Sequence, residues 1–135
     1  MNPKAQASIE SLIVICALLG LLAASVSAVN EMRSAAAFAI DAANAKAFTV
    51  SAQEVAGRLS ALGDGSEFTI RAHALGSWDF RQGDDGCAVK VRGTKEKQFA
   101  LSPEIACRIP QRLSGKFSVR ISKENGTILL AVPDR

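Results

Sequence analysis

The residue near the start of the chain that points most directly to specific chemistry is Glu10, which stands just before a long apolar run. A carboxylate beside a membrane-spanning segment is costly unless it has a partner. Ordinary secretion signals place a positive charge here, as Lys4 does, and avoid an acid. The position of Glu10 therefore predicts a cationic partner that becomes available later, in an assembly of several chains.

Cleavage between Ala5 and Gln6 would create such a cation, because it frees an α-amino group at Gln6. Residues 6 and 10 are four positions apart, so on a helix they lie one turn apart on the same face. In a packed bundle, Glu10 would pair with the amine of a neighbouring chain. A buried pair of this kind contributes more to register than to stability.

The segment Gln6-Ala7-Ser8-Ile9-Glu10, abutting the apolar run, resembles the Gln-x-Ser-x-Glu pattern of archaeal class III signal peptides on type IV pilin-like proteins. The resemblance implies that a prepilin peptidase cuts before Gln6, so that residues 1–5 are a leader. It also implies that the apolar segment stays on the mature protein as the filament core. Ala5 meets the family's need for a small residue before the cut, although Gly is common there. The rest of the chain resembles no family.

The apolar run extends from Leu12 to Val29 without a charged residue, which is about the length needed to cross a bilayer core. Lys4 predicts a cytoplasmic N-terminus, with the remainder of the chain outside. A competing cut site exists at Val26-Ser27-Ala28, which fits ordinary signal peptidase and would release a soluble protein starting at Val29. A single-span anchored protein that is never processed is the third alternative.

Three cysteines are present, of which Cys16 lies in the apolar run. Cys87 and Cys107 lie in the polar part, and export of that part would favour a disulfide between them. Two free thiols in neighbouring strands are the alternative. Zinc is disfavoured, because the single His73 and two cysteines lack paired ligand spacing. We expect no metal and no cofactor.

No nucleophile and base stand in a catalytic pattern, so the sequence does not predict an enzyme. His73 is isolated in an expected strand, which favours a structural or exposed role. Asp79, Asp84 and Asp85 cluster near a glycine-rich turn, but their spacing does not fit an EF-hand loop. A solvated acidic loop is the favoured interpretation.

Two further positions carry alternatives. Trp78 and Phe80 flank Asp79 in an expected hairpin, where packing is favoured over an exposed adhesion contact. Asn125-Gly126-Thr127 is an N-glycosylation sequon. Asn125-Gly126 is also the pair typical of a tight hairpin, and the turn is the favoured role of Asn125.

The elements that position these residues begin with one long helix, from about Ser8 to Leu62. The stretch from 30 to 62 contains no Pro and is rich in Ala, which favours helix. Gly63 is the expected C-cap. Charged residues, Asp41 among them, lie mostly off the apolar stripe that should face a sheet. That stripe comprises Phe48, Ala52, Val55, Leu59 and Leu62.

Beyond Gly65 the apolar period changes to two, which predicts strands. The clear segments are Phe68–Ala72, Cys87–Arg92, Phe117–Ser122 and Thr127–Val132, with shorter ones at Gln98–Leu101 and Ile105–Ile109. Gln82–Gly86 is an expected turn. The fold class is therefore α+β: a long N-terminal helix packed on a small antiparallel sheet of four or five strands.

The chain has 135 residues and a net charge of +3, with no Lys/Arg run. This argues against nucleic-acid binding. Residues 1–5, 6–62 and 63–135 are the expected leader, helix and head domain. The expected function is a subunit of an archaeal type IV pilus-like filament for adhesion, with sister subunits, prepilin peptidase and a membrane assembly platform as partners. The alternative is a secreted or single-span anchored binding domain that does not polymerise.

Overall fold

The computed structural model describes residues 3–109 and 112–133. The fold is α+β, with one long helix packed on a six-stranded mixed sheet. The chain divides into two compact units, Met1–Ser34 and Ala35–Arg135, so the second half of the helix belongs with the sheet. The elements are α1 (Pro3–Ser60), β1 (Glu67–Gly83), β2 (Gly86–Arg92), β3 (Glu96–Ala100), β4 (Ile105–Arg108), β5 (Arg112–Glu124) and β6 (Thr127–Ala131).

The helix α1 has 58 residues, which corresponds to a length of about 87 Å at 1.5 Å per residue. It begins at Pro3, earlier than predicted, and proline is well suited to a first helical turn. It ends at Ser60, and the next amides bond three residues back, from Ala61 N to Arg58 O at 3.2 Å and from Leu62 N to Leu59 O at 3.0 Å. This tightened turn closes the helix.

The predicted C-cap at Gly63 is wrong. Gly65, not Gly63, adopts the left-handed conformation, with φ of +89°. The helix end is held instead by the Lys123 ammonium, which donates to Ser60 O at 3.0 Å and Leu62 O at 2.7 Å. A cation near the last carbonyls of a helix is favourable because it opposes the negative end of the helix dipole.

The sheet has the order β3-β2-β1-β5-β6-β4. Neighbouring strands are antiparallel except β4 and β6, which are parallel. Both short segments predicted with less support are present, as β3 and β4. The sheet therefore differs from the purely antiparallel prediction. After β3 the chain crosses to the opposite edge of the sheet, where β4 pairs in parallel with β6, the last strand in the sequence. A hairpin motif predicts pairing only between strands that are consecutive in the sequence, so it does not predict the pairing of β4 with β6.

Strand β1 is much longer than the predicted Phe68–Ala72. Its pairing with β5 shifts between Ala74 and Ser77, and it then continues to Gly83. A bulge of this kind inserts residues and interrupts the two-residue period. The turn between β1 and β2 is consequently only Asp84-Asp85, inside the predicted loop Gln82–Gly86.

The core lies between α1 and the sheet and is centred on Trp78. Of the predicted stripe, Phe48, Ala52 and Leu59 are buried and Val55 is half-buried. Leu62 lies beyond the helix and is 45% exposed, so its place in the stripe is wrong. The Trp78 ring packs against Phe48 and Phe117, with centroids 5.8 Å and 5.5 Å away.

Candidate assembly segment and head-domain sites

The motif residues Gln6, Ser8 and Glu10 all lie on α1 and are exposed. The backbone at Ala5 is also helical, so the bond between Ala5 and Gln6 lies within the helix. Glu10 makes no ion pair with the side chains described, those of residues 6–109 and 112–133. Gln6 and Glu10 share one helix face, as the sequence predicted from their spacing.

The segment Leu12–Val29 is exposed along its whole length. Leu12, Leu18 and Leu21 are 63%, 60% and 68% exposed. Large apolar side chains occupy nearly every position from 12 to 22, so this part of the helix is apolar on all sides. Such a helix belongs in lipid or in the interior of a larger assembly. Within the described residues, α1 is the one helix long and apolar enough to cross a membrane, by length and composition.

Two serine hydroxyls in this part of the helix bond to carbonyls of the helix itself. The Ser25 hydroxyl donates to Leu21 O at 2.8 Å, and the Ser11 hydroxyl just before the segment donates to Ala7 O at 2.9 Å. Back-bonding of this kind is common for serine in apolar helices. It lets these two hydroxyls enter a water-free environment without losing a hydrogen-bond partner.

Asp41, which was predicted to lie off the packed face of the helix, is buried in the head domain. Asp41 is 2% exposed and accepts three hydrogen bonds. They come from Leu75 N at 3.0 Å, Gly76 N at 3.0 Å and the Trp78 indole nitrogen at 2.7 Å. Asp41 thus binds the two backbone amides of the β1 bulge and the central ring of the core. The assignment of Asp41 to the polar face is wrong.

A second buried carboxylate, Asp79, lies on the opposite side of the sheet and is 5% exposed. It contacts Arg92 Nε at 2.6 Å and Arg112 Nε at 3.1 Å. Burial raises the pKa of this carboxyl. The hydrogen bond from Arg112 and the charges of Arg92, Arg112 and Arg81 lower it by more, so the pKa of Asp79 lies below its usual range. Asp79 is therefore part of a charge network and not of the predicted solvated acidic loop.

The remaining acidic residues of that predicted loop, Asp84 and Asp85, form an exposed turn. His73 is exposed on β1, opposite Lys116. Among residues 3–109 and 112–133, no three His, Cys, Asp or Glu side chains converge as metal ligands. Trp78 and Phe80 are both buried in the core, in agreement with the favoured packing role.

The structure joins Cys87 of β2 and Cys107 of β4 in a disulfide, with Cα atoms 5.5 Å apart. The neighbouring backbone is held by side-chain and main-chain bonds. Cys107 N donates to the side-chain oxygen Oε1 of Gln82 at 2.7 Å, and Leu101 N donates to Cys87 O at 2.8 Å. The bridge therefore ties the edge strand β4 to β2, the strand next to the opposite edge of the sheet.

The hairpin between β5 and β6 turns at Asn125 and Gly126, with φ values of +50° and +78°. Positive φ at both central residues is the requirement of a tight type I′ hairpin. Gly126 N donates to an Asp64 carboxylate oxygen at 3.1 Å, which fixes the turn against the end of the helix. The favoured turn role of Asn125 agrees with this geometry, and its side chain is exposed.

Comparison of the chain with known proteins found no matching family model, no matching curated protein and no matching solved structure.

Proposed function

We propose that this chain is a structural subunit, a major or minor pilin, of an archaeal type IV pilus-like surface filament. A prepilin peptidase cuts between Ala5 and Gln6, and the subunit then waits in the cytoplasmic membrane with its head domain outside. An assembly platform transfers it into a filament of sister subunits that serves attachment. The observation that carries the proposal is an apolar helical segment, exposed along its whole length, that begins two residues after Glu10.

The physical logic of assembly follows from that exposure. Lipid covers the segment Leu12–Val29 before assembly, and sister helices cover it afterwards. Hydrophobic burial and close packing of these segments would hold the filament together. The Ala-rich stretch that follows contains small side chains, which allow helix backbones to approach closely.

The mature N-terminus is the measurement that tests this proposal, by mass spectrometry of membrane and shed fractions. We expect a protein that starts at Gln6, found both in membranes and in sheared surface filaments. A start at Val29 would overturn the proposal, because the proposed filament core would then have been discarded. An intact N-terminus in membranes, with no filaments, would also overturn it.

The alternative function is a secreted or membrane-anchored binding domain that never polymerises. The compact unit Ala35–Arg135, with its own core and disulfide, favours a head that folds outside the cell in either case. Sheared filaments distinguish the two functions, since a domain that does not polymerise is absent from them.

A further inference from the structure

The face of the sheet that points away from α1 gathers basic side chains from β1 and β5. Successive residues of a strand point to opposite faces, and Trp78 and Phe80 point to the helix, so Asp79 and Arg81 point outward. The register of β1 with β5 places Arg112 opposite Asp79, and Lys116 opposite His73. The outward face of these two strands is therefore lined mainly by charged and hydroxyl-bearing side chains.

One end of this face forms a cleft with a volume of about 680 Å³, lined in part by Arg81, Arg92 and Arg112 around Asp79. Arg92 and Arg112 approach Asp79 through Nε, and their side chains remain 43% and 61% exposed. The carboxylate thus orients two guanidinium groups but offsets only one of their two charges. Arg81 is exposed and has no ion-pair partner among the described residues.

A second cleft of about 340 Å³ lies farther along the same strand pair and is lined in part by Arg71, His73 and Lys116. In the described part of the chain, Arg71 and Lys116 take part in no ion pair. Lys116 follows Arg112 by four positions on β5, a spacing of about 13 Å at roughly 3.3 Å per residue. The basic groups therefore form a row and not a single pocket.

Two other basic side chains of the sheet have acidic partners. Lys90 contacts Glu96 at 2.7 Å and Arg120 contacts Glu67 at 3.6 Å. The two clefts together bring three basic side chains without an ion pair among the described residues, Arg71, Arg81 and Lys116, onto one strand pair. Two separated clefts fit an extended polyanion better than a single small anion.

The aromatic rings of this strand pair indicate which polyanion fits. Single-stranded nucleic acids bind through rings on which bases stack. Trp78, Phe80 and Phe117 instead pack edge to face with one another on the helix side. Guanidinium groups bind carboxylates and sulfates in a bidentate manner without stacking.

We propose that the two-cleft face is a docking surface for an acidic polysaccharide, whose carboxylate or sulfate groups bind at Arg81, Arg92 and Arg112 and again at Arg71 and Lys116. The surface lies entirely within the unit Ala35–Arg135. It does not depend on filament assembly, so either proposal can fail without the other.

The test uses the full chain in nanodiscs of zwitterionic lipid, with heparin and polygalacturonate as probes and neutral dextran as a blank. We expect both acidic polysaccharides to bind, dextran not to bind, and affinity to fall steeply as salt increases. Arg81→Gln/Lys116→Gln removes one charge from each cleft and should weaken binding roughly tenfold, as expected when charge contacts are lost from a multisite electrostatic complex.

A matched control removes the same charge from the exposed helix surface of the head domain. Lys46→Gln/Arg58→Gln should leave the affinity within about twofold of the wild type, because loss of remote charge is largely screened. Equal weakening by the two double variants would overturn the proposal, since binding would then depend on net charge alone. Tighter binding of single-stranded DNA of equal charge would overturn it in favour of a nucleic-acid surface. Trp78 fluorescence confirms that each variant is folded.

Discussion

Asp41 connects the long helix to the centre of the sheet. Its two carboxylate oxygens accept from two bulge amides and from the Trp78 indole. Buried donors that lose their acceptor carry a desolvation cost. The bulge and the position of the central ring therefore depend on one ionisable side chain of the helix.

Asp41→Asn tests this role. The amide keeps one acceptor oxygen and directs its NH2 group at a donor, so at least one of the three donors loses its partner. We expect a loss of about 1–3 kcal/mol in the free energy of unfolding. Urea unfolding in a non-ionic detergent, followed by the fluorescence of the single tryptophan, measures it. Asp64→Asn affects one exposed bond and should change the value by less than about 0.5 kcal/mol; equal losses would contradict the buried role of Asp41.

The lowered pKa of Asp79 predicts how the stability of the head domain depends on pH. Its pKa in the folded protein lies below the usual value, because the arginines outweigh the effect of burial. The resulting stabilisation is complete above the usual Asp pKa of about 3.9. It is lost as the pH falls through the lower pKa of the folded state, because the unfolded chain then binds the proton more readily.

Unfolding of the wild type and Asp79→Asn between about pH 6 and pH 3 measures this effect. We expect the stability advantage of the wild type to shrink as the pH falls. Asp84→Asn, in the exposed turn, should follow the wild type over the whole range. A difference between wild type and Asp79→Asn that stays constant down to the lowest pH would contradict the charge network.

At the scale of elements, α1 contacts the turn between β2 and β3, where the Phe38 ring of the helix packs on Gly93. A Cβ built at Gly93 would overlap the Phe38 ring. Gly93 does not have a positive φ, so the requirement for glycine is steric and not conformational.

Gly93→Ala should therefore displace the Phe38 ring and cost about 1–3 kcal/mol of stability, the range typical of overpacking. Gly57→Ala is the matched control, because nothing lies within 4 Å of its added Cβ. Inside a helix, that change should stabilise by about 0.5–1 kcal/mol. Urea unfolding of both variants measures the contrast, and a neutral Gly93→Ala would show that the ring does not lie closely on the turn.

At the scale of the whole molecule, the apolar segment and the head domain differ in how their apolar side chains are buried. The head domain has its own core, whereas the apolar segment is exposed. The segment has no apolar partner within the described residues, so assembly or lipid must supply one. On the proposed function, Glu10 sets the register of that assembly by pairing with the freed amine of a neighbouring subunit.

Glu10→Ala should consequently leave cleavage before Gln6 intact and reduce incorporation into filaments roughly tenfold or more, since loss of one partner of a buried pair is strongly destabilising. The amount of subunit in sheared filaments relative to membranes measures it. Glu31→Ala lies beyond the apolar segment on the same helix and should incorporate normally. Wild-type incorporation of Glu10→Ala would remove the proposed role.

Several features of this protein were predictable from local pattern. The absence of Pro and the abundance of Ala predicted the helix, and the strand patterns predicted all six strands in whole or in part. The longest stretches outside the predicted strand segments were the start of β5 and the part of β1 beyond Ala72. The Asn125-Gly126 turn was also predictable, because its backbone geometry is a property of adjacent residues.

The structure assigned roles that depend on distant contacts. Asp41 lies more than thirty positions before its three partners, so its helical pattern gave no sign of burial. The absence of a Lys/Arg run suggested that there was no basic surface. However, Arg81, Arg92 and Arg112 stand on three strands and meet only when those strands pair.

The amino-acid sequence alone determined where the chain is helical, where it is extended and which segment is too apolar for water, because these properties depend on near neighbours and on side-chain polarity. Tertiary structure decided the parallel pairing of β4 with β6, the burial of Asp41 and the basic row on the outer face. Each of these depends on register between segments far apart in the chain. Register is set by packing of the whole core, and in β1 by a bulge that a two-residue period cannot reveal.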